Sequence, residues 1–189
     1  MSEFDDDFDM YVTKRSGETE ILSYKKILER TKKLATQFNI NLNYSNLVMK
    51  IMDQLFNNIK TSEIDELMCQ TCASLGSTDY DYYRLASALC ISNHQKEVSE
   101  DFELNYQKIY NNDSGYLSKA FLEIIHKHVD YFKSILKYSR DYEIDYFGYK
   151  TLERAYLMKY NKQIHERIQH MWLRVAIQIH GENLDKIKE

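Results

Sequence analysis

The chain has 189 residues, 43% of them hydrophobic, which is enough for one sizeable core or two small ones. It has no proline and five glycines, a composition that favours long helices over sandwiches or barrels. The net charge of -4 lacks the cationic field that nonspecific nucleic-acid binding needs. No apolar run approaches the roughly 20 residues that cross a bilayer.

Three cysteines form an odd, sparse set with no extracellular spacing, which points to a reducing compartment. The N-terminus is acidic where a signal peptide is cationic. A cytoplasmic protein is expected, with neither nucleic acid nor membrane among its partners. The 16 tyrosines and 8 phenylalanines imply no cofactor, because tyrosine sits readily at a core margin with its hydroxyl in water.

Residues 1–9 (Glu3, Asp5, Asp6, Asp7 and Asp9) read as a disordered, solvating acidic tail. A hairpin is predicted next, with Tyr11-Val12-Thr13 and Ile21-Leu22 flanking the turn Lys14-Arg15-Ser16-Gly17. Ser23 is placed to cap a helix through about Phe38, with Ile27, Leu28, Leu34 and Phe38 near helical spacing. A second helix is predicted over Ser45–Asn58, and a third from Thr61 or Ser62 to near Gly76. A fourth begins near Asp79 and is expected to continue past Glu97 through Phe102 and Tyr106.

The polar run from Asn111 to Gly115 is the best linker candidate. A helix over Ser118–Tyr138 follows, then a helical stretch from Asp145 to Arg154. Tyr156–Tyr160 and Gln163–Glu166 are placed to pair around Asn161-Lys162. A helix from Ile168 to His180 comes next, and Asn183–Glu189 reads as the start of another.

Few of these elements carry chemistry. Lys14 and Arg15 beside a Ser-Gly turn set two cations next to exposed backbone N–H groups, a corner suited to phosphate oxygens. A solvated basic turn is the ordinary alternative. Thr61 and Ser62 open a helix whose free N–H groups also favour an anion, although every helix needs such a cap.

Cys69-Gln70-Thr71-Cys72 is a C-x-x-C within a helix, with no second pair for a structural zinc and no helix N-terminus for redox work. His126/His128 and His165/His170 miss the i, i+4 spacing of helical metal ligands. No catalytic grouping and no metal site are expected. The residues alone therefore define a mostly helical protein with one anion corner.

Several stretches together resemble the large subunit of class I ribonucleotide reductase. Val12-Thr13-Lys14-Arg15-Ser16-Gly17, Thr19-Glu20 and Lys26-Ile27 resemble the opening of the ATP-cone domain. Lys60-Thr61-Ser62-Glu63-Ile64-Asp65 resembles its second signature. Asp79-Tyr80, Arg84-Leu85-Ala86, Ser92-Asn93 and Lys96 resemble its last helix. Tyr146-Phe147-Gly148-Tyr149-Lys150-Thr151-Leu152-Glu153-Arg154 and Glu166-Arg167-Ile168-Gln169-His170-Met171 resemble the helical region that leads into the catalytic barrel.

The resemblance implies a mainly α architecture. A cone over residues 10–97, a small β-hairpin lid on a four-helix bundle, would precede a helical segment over residues 98–189. It implies control of ribonucleotide reduction by ATP as activator and dATP as inhibitor, bound with Mg2+. Lys14, Arg15, Lys26, Thr61 and Lys96 would contact the triphosphate, with Gly17 giving it a close approach to the turn. Glu20 would help read the adenine, Ile27 would line the base pocket and Asp65 would bond the sugar.

The implied partners are the remainder of the large subunit, a radical-generating small subunit and further copies of the chain. Ser16 stands where the family usually has aspartate, and Ile168 replaces a frequent proline. Cys69, Cys72 and Cys90 match none of the family's catalytic cysteines, so this chain alone is expected to be inactive as a reductase. The alternative reading is a stand-alone nucleotide-sensing or interaction module.

Overall fold

The structure, a computed structural model, describes residues 9–112 and 115–189. The acidic tail expected over residues 1–9 therefore lies outside the described residues except for Asp9, as do Asp113 and Ser114 of the expected linker. Two compact units meet within one helix, the first ending at Asn93 and the second beginning at His94.

In the first unit, β1 (Tyr11–Thr13) and β2 (Thr19–Ile21) form the antiparallel hairpin. Gly17 takes φ +87° in the turn, a left-handed conformation that favours glycine. Ser23 caps α1 (Tyr24–Gln37) by accepting from the Lys26 N–H at 3.3 Å, as its position predicts.

The second helix, α2 (Tyr44–Met52), stops well short of the expected Asn58. The reason is competition for the backbone that follows it. Asn57 accepts from the Tyr11 N–H through its side chain, and the Asn58 N–H bonds to the Tyr11 carbonyl at 2.8 Å. These bonds lead into β3 (Ile59–Lys60), which runs parallel to β1 and completes a sheet of order β2-β1-β3.

From that strand α3 (Thr61–Leu75) starts at once, with the Glu63 carboxylate accepting from the Lys60 N–H at 3.3 Å. After Gly76 comes α4 (Tyr80–Glu97). Arg84 ties it to the end of α1 by donating to the Phe38 carbonyl at 2.7 Å. Leu34, Leu47, Val48, Ile51, Met68 and Leu85 are buried, so the apolar stripes of the helices meet as their spacing predicts.

The fourth helix does not run on to Tyr106. It ends at Glu97, and α5 (Phe102–Asn112) begins anew with Asp101 accepting from the Leu104 N–H at 3.0 Å. At the break the Val98 carbonyl accepts from the Arg167 side chain at 2.8 Å, a partner an unbroken helix would deny it. The helix expected over Ser118–Tyr138 is likewise two, α6 (Lys119–Lys127) and α7 (Val129–Ile135), hinged at His128 with φ -119° and ψ 22°. A 3-10 turn (Tyr138–Glu143) follows.

Then α8 (Tyr146–Ala155) is capped by Asp145, which accepts from the Gly148 N–H. The expected pairing around Asn161-Lys162 is present as β4 (Lys159–Tyr160) and β5 (Gln163–Ile164), both turn residues having positive φ. The unit closes with α9 (Ile168–His180) and α10 (Leu184–Lys188). Phe102, Tyr106, Phe121, Ile125, Phe132, Leu173 and Ile177 form its core.

That core encloses polar groups. Glu166, fully buried, accepts from the Tyr106 hydroxyl at 2.8 Å, the Met158 N–H at 3.0 Å and the Arg174 guanidinium at 2.7 Å. His94 and His170 are also buried, and burial, with the Arg167 charge nearby, lowers their pKa values to about 4 and about 3.

An unfolded chain protonates such imidazoles near pH 6.5, roughly their free value. The unfolded state therefore binds more protons below that pH, so the histidines leave stability intact above it and erode it as the medium is acidified towards about 4 and then about 3. Urea titrations of the second unit's unfolding from about pH 7.5 to about pH 5.5 should show falling stability, with a slope approaching ~1.4 kcal/mol per pH unit for each histidine. A flat profile would mean that these imidazoles titrate normally.

Candidate functional site

Two clusters of charge converge where the hairpin turn faces the helices of the first unit. In the first, the Glu20 carboxylate holds Lys14 Nζ at 2.9 Å and Lys26 Nζ at 2.8 Å. Glu20 is thereby held below the usual carboxylate range by hydrogen bonds from Lys26 and Lys14, and Lys14 is held above the usual lysine range by Glu20. Two ammonium groups share one acid, and all three side chains remain in reach of water.

The second cluster is deeper. Asp65, on α3, is fully buried. One carboxylate oxygen accepts from Arg15 Nη2 at 3.0 Å, and the other meets the Arg30 guanidinium from α1. The same Arg15 nitrogen reaches the Asn93 side chain on α4. Arg15 thus clips the hairpin turn to two helices, while Asp65 collects cations from the turn and from a third helix.

The remaining predicted residues are placed by their own elements. Thr61 is the first residue of α3, one turn before Asp65, and Ile27 follows Lys26 on α1, half-buried. Gly17 supplies the left-handed corner, and Ser16 closes the turn by donating to the Glu18 carboxylate at 3.2 Å. Lys96 stands three residues beyond Asn93 in the last turn of α4, in the unit that begins at His94.

Two contributors escaped the sequence reading. Arg30 is one turn after Lys26 on α1, a spacing that puts both on one face of the helix, and this spacing was its one available signal. Asn93 stood within a recognised motif without a role.

Chemically, the arrangement offers cations whose partners are carboxylates of the same chain. The pairs at Glu20 are in reach of water and can be exchanged for a stronger polyanion without stranding a buried charge, whereas drawing Arg15 away takes a partner from buried Asp65. The N–H groups of Lys14 and Gly17 are taken up within the hairpin, but α3 adds the positive end of a helix to the side-chain cations, a donor set that fits phosphate oxygens.

The three cysteines are buried and unbridged. The neighbouring Cys90 thiol and burial hold Cys69 far above its usual range, and burial, with Cys90 nearby, pushes Cys72 up to about 12.

Residues 10–97, which hold the hairpin, the four helices and the basic corner, match the ATP cone domain family. Residues 142–189 match the all-alpha domain of ribonucleotide reductase. The chain belongs to the ribonucleotide reductase large-subunit family.

It is similar to the ribonucleoside-diphosphate reductase large subunit of Plasmodium falciparum, 35% identical over 186 residues, and to that of Dictyostelium discoideum, 38% identical over 188. These alignments cover 95% and 93% of this chain but only 23% and 22% of those relatives. The Monkeypox virus large subunit is 34% identical, over 95% of this chain and 24% of its own length.

Asp65→Ala would leave the arginine charges facing each other without their acid. Removing one member of a buried ion pair costs about 3 kcal/mol or more, and the partly exposed arginines put this case at the lower end. Urea unfolding of the first unit should show that loss. A change within about 0.5 kcal/mol, the range of ordinary surface substitutions, would mean that the carboxylate does not hold the hairpin.

Proposed function

We propose that this chain is the effector-sensing region of a ribonucleoside-diphosphate reductase, binding ATP or dATP, as Mg2+ complexes, at the corner around Arg15. In the whole enzyme this binding would set the rate at which ribonucleotides are reduced, with ATP activating and dATP inhibiting. The partners would be the rest of the large subunit, a radical-generating small subunit and further copies of the chain. The observation that supports this reading most directly is the pairing of Lys14 and Lys26 with Glu20 beside Arg15 and Asp65.

On this reading a triphosphate replaces Glu20 as the partner of Lys14 and Lys26. Glu20, released, is then available to accept from the adenine amino group. Phosphate oxygens reaching Arg15 compete with Asp65 for it. An Asp65 oxygen freed in this way can accept from a ribose hydroxyl, which dATP lacks at its 2′ position. Thr61 and Lys96 would complete the phosphate contacts and Ile27 the base pocket. Coupling to activity requires only that the two nucleotides differ in affinity between assembly states.

Isothermal titration with Mg-ATP and Mg-dATP tests the proposal. One saturable site per chain is expected for each nucleotide. Lys14→Ala with Lys26→Ala should weaken both by about tenfold or more, since each charge-assisted bond contributes about 1.5–3 kcal/mol. Asp65→Asn should instead alter the ratio of the two affinities. Absence of saturable heat from the folded chain would overturn the assignment.

A further inference from the structure

Within the sequence Cys69 pairs by spacing with Cys72. The fold gives it a different neighbour. Cys69, on α3, and Cys90, on α4, bring their sulfurs together, and the Glu66 carboxylate joins them so that all three ligand atoms lie within 4.8 Å of one another. Both sulfurs are buried, whereas Glu66 is half-buried and gives the group a side open to solvent.

The helical spacing makes this convergence firm. Glu66 and Cys69 are one turn apart on α3 and so share a face, and Cys90 faces them from a separate helix. Two ligands from one helix and one from another fix a metal's position better than a C-x-x-C confined to a single helix.

We propose that Glu66, Cys69 and Cys90 form a Zn2+ site inside the cone. Two thiolates and one carboxylate are a soft-to-borderline donor set that suits Zn2+ better than Mg2+ or Ca2+, which prefer all-oxygen shells. Tetrahedral zinc with bonds near 2.3 Å to sulfur sets neighbouring ligand atoms roughly 3.8 Å apart, so the observed spread needs only a small contraction. Three protein ligands leave a fourth position for water on the Glu66 side. Binding is a proton exchange: the two neutral thiols lose their protons to solvent as two Zn–S bonds form, with no change in oxidation state.

The location has a consequence for the cone. Cys69 is one turn beyond Asp65 on α3, and Cys90 one turn before Asn93 on α4. Arg15 bridges Asp65 and Asn93. A metal at the cysteines would brace the same two helices directly beneath that bridge.

The test uses the reduced 189-residue chain, titrated with Co2+ as a spectroscopic probe and then with Zn2+. One Co2+ per chain should bind with a thiolate-to-cobalt charge-transfer band, which Zn2+ abolishes. About two protons should be released per Zn2+ in weak buffer, and the thermal midpoint should rise. Cys69→Ala and Cys90→Ala should each weaken binding on the order of a hundredfold or more.

Cysteine behaves as a small apolar residue in a core, so alanine is the mildest replacement. The half-buried Glu66→Gln leaves the core intact and should still weaken Zn2+ by about tenfold or more. Cys72→Ala should keep the band. The proposal fails if the folded wild-type chain shows no charge-transfer band. It fails equally if binding survives both Cys69→Ala and Cys90→Ala.

Discussion

Asp65 is an anion without access to water, and the arrangement of the first unit follows from how its charge is met. An isolated buried carboxylate would shed its charge or unfold its surroundings, because desolvation costs far more than any single contact returns. Here each oxygen has its own guanidinium, Arg15 from the hairpin turn and Arg30 from α1. Arg15 also reaches Asn93. One buried acid thus gathers the turn and α1 onto α3, and through Arg15 it engages α4 as well. The three-stranded sheet positions the turn by its ladder, but ladder bonds are indifferent to the turn's side chains. The side-chain register of the lid is set by the Asp65 charge.

The helices were largely legible because their boundaries carry side-chain signals. Ser23, Ser118, Asp145 and Asn183 each accept the N–H three residues on, the local competition that starts a helix. Apart from the start of α5, where Asp101 accepts from the Leu104 N–H, the features that escaped had no such mark. Ile59-Lys60 is too short for an alternating pattern, and its strand character comes from β1 lying beside it. The breaks at Val98 and His128 contain neither glycine nor proline. At Val98 a buried partner, Arg167, outcompetes the helical ladder, whereas at His128 the ladder bonds to Ile124 and from Phe132 are kept and only the backbone angles change. Arg30 stood in a run of charged residues, and its one local signal, the spacing from Lys26, is shared by any solvated helix face. Cys90 is far from Cys69 in sequence, and only the packing of α4 beside α3 makes them neighbours.

The conspicuous motif of the second unit, Glu166 to His170, proves to be architecture. Glu166 is saturated by Tyr106, Arg174 and the Met158 backbone, and Arg167 donates to the Gln95 and Val98 carbonyls while lying 4.7 Å over the Tyr138 ring. His170 binds the Tyr138 hydroxyl at 2.9 Å and packs on Phe102. Such a network is intolerant of a missing member, because each loss strands a buried polar group. That intolerance is a sufficient physical reason for so specific a string of residues, and it requires no reactive role. It also accounts for Ile168 in place of proline: the position is fully buried and apolar at the start of α9, where neither residue needs to supply a bond.

The contrast between the two units bears on how a sensor can work. In the second unit the charges around Glu166 are buried and paired, so a small ligand could recruit them only at a large penalty. In the first, Lys14, Lys26 and Glu20 remain wet, and only Asp65 is sealed. A polyanion that takes the wet cations gives up little, since water and Glu20 exchange readily. Reaching Arg15 means loosening its hold on Asp65, and the return must come from something that satisfies that acid in turn. On the proposed reading the exposed pairs supply affinity for any polyphosphate, and discrimination falls to the buried one. On that reading, a nucleotide that offers Asp65 a 2′-hydroxyl and one that does not would leave the hairpin held differently, and that difference in affinity is what would couple the corner to the rest of an enzyme.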